Sequence, residues 1–214
     1  MRSRTRRSAS SVRANSKEDS PQSCGLSIPT SRYVLFGLIA ACGCALDLVT
    51  KELVFRWRGA PFPVGPPNHE WWLWEPFIGI ETAINPGALF GLGGGYGVVF
   101  AALSVIAALA IVIWLFWYRA AADRWLTIAL SFVMGGIFGN LYDRLGFWWQ
   151  PGMPTHWQSG VRDWILFRYQ NHTWPNFNIA DSLLVCGACM LLVHAFIDRK
   201  EAAKSTAAKE VASE

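Results

Sequence analysis

The sequence predicts an all-α membrane protein: four transmembrane helices with a small β-sheet on the outer membrane face. Three observations carry this. Of the 214 residues, 52% are hydrophobic and only 16% are charged, a balance typical of membrane chains. The apolar residues collect in four runs of roughly 18–22, each long enough to cross a hydrocarbon core of about 30 Å. The basic residues are concentrated in alternate connections, as the positive-inside rule demands of a multi-pass chain.

The elements follow in order. Residues 1–31 are Ser-rich and basic, which predicts a disordered cytosolic tail rather than a nucleic-acid-binding module. The first apolar run, Tyr33 to Val54, is too long for the core of a cleavable signal peptide and is read as a retained helix. A long segment rich in Pro, Gly and Trp, Phe55 to Gly97, leads to the second run, Val98 to Tyr118. A short basic turn, Arg119 to Arg124, leads to the third, Trp125 to Tyr142. A second long segment, Leu145 to Phe177, precedes the fourth, Ile179 to Ile197. The domain organisation expected is a tail over 1–31, a four-helix domain over 32–199 and a cytosolic C-terminal tail over 200–214. Lipid offers the backbone no partner, so the spanning segments are helices. Glu75 to Ile84 and Val161 to Phe167 have the alternating, β-branched character of strands and predict a small sheet.

Charge then orients the chain. Thirteen Lys and Arg fall in the N-terminal segment, the short turn and the C-terminal segment, against four in the two long connections. Both termini are therefore expected in the cytoplasm and both long connections outside. Trp57, Trp71, Trp72, Trp74, Trp148, Trp149, Trp157, Trp164 and Trp174 fall on the outer side, where an interfacial belt would lie. The five cysteines, Cys24, Cys42, Cys44, Cys186 and Cys189, suggest neither a disulfide framework nor metal. Four lie within apolar helices, with no His at ligand spacing.

Charged groups inside spanning helices are costly and mark function by default. Asp47 and Lys51 are one helical turn apart and can neutralise each other. Both an ion pair locking the bundle and a role in aligning reactive groups fit them. Asn140-Leu-Tyr-Asp143-Arg144 ends the third helix at the outer face, and Asn178-Ile-Ala-Asp181 opens the fourth at the same face. Two carboxylates brought together there would not ionise together readily, so one would keep its proton. One acid taking a proton from water while the other donates to a carbonyl is the chemistry of an aspartic peptidase. The asparagines can orient the carboxylates, and Asn178 can also cap the fourth helix. Arg144 is suited to a carboxylate or a lipid phosphate. Asn85 offers a donor and an acceptor, and Gly87 allows a close backbone approach. Asp163, taken alone, reads as a solvated loop acid.

The blocks Asp47-Leu-Val-Thr-Lys51, Asn85-Pro-Gly-Ala-Leu-Phe90, Gly139-Asn-Leu-Tyr-Asp-Arg144, Val161-Arg-Asp163 and Phe177-Asn-Ile-Ala-Asp181, in that order, resemble bacterial lipoprotein signal peptidase, also called signal peptidase II. The resemblance covers roughly residues 32–199. It implies an extracytoplasmic β-sheet cradle on a four-helix inner-membrane enzyme that works without metal or organic cofactor. The substrates it implies are prolipoproteins carrying diacylglycerol on the lipobox cysteine, cut just before that cysteine amid membrane phospholipids. By motif, Asp143 and Asp181 are the expected catalytic pair. Asn85, Gly87, Asn140, Arg144 and Asn178 line or support the site, Asp47 and Lys51 brace it, and Asp163 stabilises the cradle. The protein is expected to be a monomer. The alternative of another class is an ion-coupled transporter using the intramembrane acids as a proton relay. It would need polar groups along the whole path, and the second helix has almost none. The Gly-x-Gly-Asp pattern of presenilin-type and prepilin-type peptidases is absent.

Overall fold

The computed structural model describes residues 27–61, 63–65, 70–87 and 95–211. Its helices are α1 (Thr30–Arg58), α2 (Gly97–Val112), α3 (Arg124–Arg144) and α4 (Ile179–Val211). A π turn, Ile113–Trp117, prolongs α2. Each of the four is long and apolar enough to span a membrane. Side chains such as Leu38, Leu53, Leu109 and Val185 point away from the bundle and stay exposed, as lipid-facing residues do.

Two boundaries differ from those expected. α1 continues past Val54 to Arg58, where Arg56 and Arg58 suit the negative end of a helix and Gly59 (φ 82°) ends it. α4 runs on to Val211 through residues expected to form a tail. That stretch is built of Ala, Lys and Glu, all strong helix formers, with no Pro or Gly to stop it. Of the tail expected over 1–31, residues 1–26 lie outside the described residues, and Thr30 already opens α1.

Helix α3 is the centre of the bundle and packs on α1, α2 and α4. Its N-terminus is capped by Asp123, which accepts from the Leu126 amide at 2.9 Å. Leu115, Ala121, Leu130 and Met134 form its dry core with α2 and the short turn. Toward the other end small residues let backbones meet. A Cβ on Gly136 would lie 2.5 Å from the Ala180 carbonyl oxygen, and one on Gly139 would lie 2.4 Å from an Asp47 carboxylate oxygen.

A four-stranded antiparallel sheet covers that end of the bundle. Its strands are β1 (Trp71–Trp74), β2 (Ile78–Asn85), β3 (Val161–Tyr169) and β4 (His172–Phe177), in that order across the sheet. β2 and β3 fall on the two stretches of alternating character. β1 and β4 were not expected as strands, and both are edges. β1 holds three tryptophans in four residues, and β4 contains Pro175, which an edge tolerates. Ala83 stands opposite Asp163 and Asn85 opposite Val161. Trp57 at the end of α1 packs edge-on against Trp71 of β1, with ring centroids 5.4 Å apart. The tryptophans do not form one belt. Trp157 is buried and Trp148 packs on Phe55, whereas Trp71, Trp74 and Trp174 are exposed.

Candidate active site

Helix α4 starts with its own cap. Asn178 stands just before Ile179, and its side-chain oxygen accepts from the Asp181 amide at 2.9 Å. The Asp181 carboxylate returns the favour, accepting from the Asn178 amide at 3.1 Å. This is a reciprocal capping box, so the Asn-x-x-Asp spacing places Asp181 in the first helical turn. The Asn178 side-chain nitrogen is left to reach across the site. It donates to Asp163 Oδ1 at 2.7 Å and to Asn140 Oδ1 at 3.1 Å. Asn140, from α3, donates in turn to Asp181 Oδ1 at 2.8 Å. Two asparagines thus join Asp163 and Asp181.

Asp143 is held elsewhere. One of its oxygens accepts from Arg162 Nε at 3.1 Å and Nη2 at 2.9 Å. The other accepts from the Arg162 backbone amide at 3.0 Å and lies 3.2 Å from Lys51 Nζ. Lys51 also meets Asp47 at 2.7 Å and Asn140 Oδ1 at 3.0 Å. Asp47 accepts from the Ala180 amide at 2.8 Å, tying α1 to the start of α4. Arg162 extends the chain of charges to Glu52, 3.2 Å away, and its guanidinium lies against Phe55 and Trp148. The sequence Glu52–Arg162–Asp143–Lys51–Asp47 alternates in sign. All its members but Glu52 are at most 3% exposed, and each charge is stabilised by an opposite neighbour.

The two Asn-x-x-Asp motifs pair Asp143 with Asp181 by sequence, and the fold does not bring that pair to one cavity. The reason is the two-residue period of β3. Asp163 turns to one face of the sheet with Val161, and Arg162 turns to the other, where it engages Asp143. Asp163 and Asp181 line a common cavity of about 580 Å³ together with Asn85, Gly87, Asn140 and Arg144. Asp143 does not line it. Asp163 is not a solvated loop acid either. It is 2% exposed, and burial, followed by the charge of Asp181, pushes its pKa up to about 8. The charge of Lys51, then hydrogen bonds donated by Asn178 and Asn85, limit that rise. No ion-pair partner stands beside Asp163 or Asp181 among the described residues.

Arg144 takes neither a carboxylate nor an open surface. It donates to the carbonyls of Ser159 (2.9 Å), Asn85 (3.3 Å) and Gly87, and so fastens the end of β2 to α3. Asn85 Oδ1 accepts from the Gly87 amide at 3.1 Å, a local turn that aims its nitrogen at the cavity. Ala88 to Phe90 of that block lie outside the described residues. Arg162 and Glu52 were missed in the sequence. The signal for Arg162 was present, because strand alternation sends it to the face opposite Asp163.

A helical membrane bundle that gathers two unneutralised acids in one cavity defines a class, the membrane aspartic peptidases. Comparison with known proteins gives the family. Residues 39–197 match the family model described as Signal peptidase (SPase) II, and the chain belongs to that family. It is 59% identical over 173 residues to a lipoprotein signal peptidase of Rhodopirellula baltica, covering 80% of this chain and 76% of that protein. It is 31% identical over 157 residues to one of Clostridium novyi, covering 73% and 93% respectively. A bacterial membrane enzyme solved by the in meso method at 2.3 Å resolution has the same fold. Its TM-score is 0.62 at 24% identity, over 78% of this chain and 90% of that one. The transporter alternative is set aside.

Proposed function

We propose that this chain removes the signal peptide from prolipoproteins whose lipobox cysteine carries diacylglycerol, cutting the bond just before that cysteine, with Asp163 and Asp181 as the acid–base pair. The observation that carries the reading is that these two acids share a cavity and two asparagine bridges, while Asp143 is consumed by Arg162 and Lys51.

The geometry supports a division of labour. Both Asp181 oxygens accept N–H donors, from Asn140 and from the Asn178 amide, which suits the ionised partner. Asp163, with its pKa raised to about 8, holds the shared proton at neutral pH. Water between them loses a proton to Asp181 as its oxygen attacks the scissile carbonyl, and Asp163 donates to the carbonyl oxygen. When the tetrahedral intermediate collapses, the C–N bond breaks, the proton on Asp181 passes to the cysteine nitrogen, and a hydroxyl proton of the intermediate returns to Asp163. The inferred setting is the bacterial inner membrane, with both termini cytoplasmic and the sheet on the extracytoplasmic face, where a secreted precursor arrives. A monomer suffices, since one chain supplies every group named.

Cleavage of a diacylated prolipoprotein in detergent tests the assignment. Asp163→Asn and Asp181→Asn are each expected to lower the rate by about 10²–10⁴-fold while the protein stays folded. Asp143→Asn is expected to act through stability, because it strips Arg162 and Lys51 of a buried counter-charge at a cost of about 3–5 kcal/mol. Full processing by the Asp163 variant would overturn the pairing.

A further inference from the structure

The cavity that holds Asp163 and Asp181 has a third carboxylate, Glu81. Glu81, Ala83 and Asn85 are alternate residues of β2, and all three line that cavity. Ala83 stands opposite Asp163. Glu81 is two residues further along the strand, within a bulge between Ile80 and Ala83, so it is displaced along the strand by at most about 7 Å. Among the described residues the hydrogen-bond partner of its carboxylate is neutral: Asn176 Nδ2 donates to Oε2 at 3.1 Å and to the Glu81 carbonyl at 3.0 Å. The nearby cations make their hydrogen bonds elsewhere, although the charge of Glu81 still acts on Arg168. Arg168 makes two bonds to Glu70, at 3.0 and 2.5 Å. Arg144, which lines the cavity, is spent on backbone carbonyls. Glu81 therefore presents its charge to whatever fills the cavity, and nothing in the proposed acid–base chemistry uses it.

We propose that Glu81 is a specificity-determining residue that reads the charge of the substrate just beyond the cut, favouring a basic and disfavouring an acidic side chain within the first three residues of the mature segment. This rests on the peptidase reading above. An apolar signal segment belongs with the membrane helices, whereas the polar mature segment must leave toward water. Glu81 is on the sheet and outside the spanning helices, so the mature segment is what passes it. An extended peptide has the same two-residue period as β2, so the side chain that meets Glu81 stands about two residues from a bond held at Asp163.

The test uses one diacylated precursor in three forms, with Lys, Gln or Asp at the second mature position, cleaved in detergent by the full-length protein. The readout is the ratio of kcat/KM for the Lys form to that for the Asp form. A ratio cancels any general effect of a substitution on folding or on catalysis. The wild type is expected to favour Lys by about three- to fivefold, the scale of a partly exposed charge pair. Added salt should shrink the preference. Glu81→Gln, which keeps an acceptor for Asn176, should bring the ratio to about one, and Glu81→Lys should invert it. A ratio in Glu81→Gln equal to that of wild type would overturn the proposal while leaving the peptidase reading standing, since cleavage itself is observed. Failure of the wild type to cut any of the three forms would instead overturn the peptidase reading, and this inference with it.

Discussion

Asp143 and Asp163 are both almost inaccessible, 0% and 2% exposed, yet their surroundings assign them opposite tasks. Asp143 has a guanidinium and an ammonium against its two oxygens and is one link in a charge chain. Burial and the nearby charge of Asp181 outweigh the Lys51 charge and the amide donors at Asp163, so its carboxyl prefers the proton up to about pH 8. A rate that needs this proton should hold on the acid side and fall as pH rises through about 8. The same shift has a stability consequence. The carboxyl is at 3.8 when unperturbed and at about 8 in the folded protein. The folded state binds the proton more tightly, so its contribution is full below 3.8 and is lost as pH rises toward 8. Asp163→Asn cannot ionise and should escape that loss. Its thermal midpoint in detergent should therefore gain on wild type between pH 5 and 8 and level off above. A midpoint difference independent of pH would contradict the shifted carboxyl.

Among the elements, the start of α4 does two jobs with one side chain. The oxygen of Asn178 caps the helix and its nitrogen ties Asp163 to Asn140. The jobs can be separated, because serine supplies a capping oxygen but cannot also extend an amide nitrogen across the site. Asn178→Ser should keep stability to within about 1 kcal/mol while cleavage falls by tenfold or more, on the order of one or two lost hydrogen bonds. Stability and cleavage falling together would mean that the cap is all Asn178 provides. In β3, alternation fixes which neighbours each acid meets. Arg162 reaches back to α3 and α1, and Asp163 looks into the cavity.

For the molecule as a whole, the sheet sits on one end of the bundle and the short α2–α3 turn on the other. Basic residues favour the ends away from the sheet, so the sheet is the extracytoplasmic end in the proposed topology. Labelling by a membrane-impermeant thiol reagent checks this. Gln170→Cys, in the β3–β4 turn, should react in intact cells, and Ala122→Cys, in the α2–α3 turn, only after lysis. The reverse pattern would invert the topology. The clamp of Glu52, Arg162 and Asp143 joins the sheet to two spanning helices, and in the proposed topology this puts the cavity where the membrane meets water.

By itself the sequence determined the four spans, through apolar runs whose length lipid dictates, and the strands β2 and β3, through their alternation. It also supplied every block from which the site is built. It did not determine that α4 continues to Val211, nor that tryptophan-rich and proline-containing segments would serve as edge strands, because edges are chosen by what they pair with. Above all it did not decide which acids meet. Asn-x-x-Asp occurs twice, and the symmetry of the motifs suggested that their two aspartates pair. Tertiary structure broke that symmetry by placing a strand from a distant connection between the helices. Arg162 on that strand neutralises Asp143, and Asp163, one residue along and on the opposite face, takes the place across from Asp181. A carboxylate's chemistry is set by the charges and donors within a few ångströms of it, and those come from residues far apart in the chain.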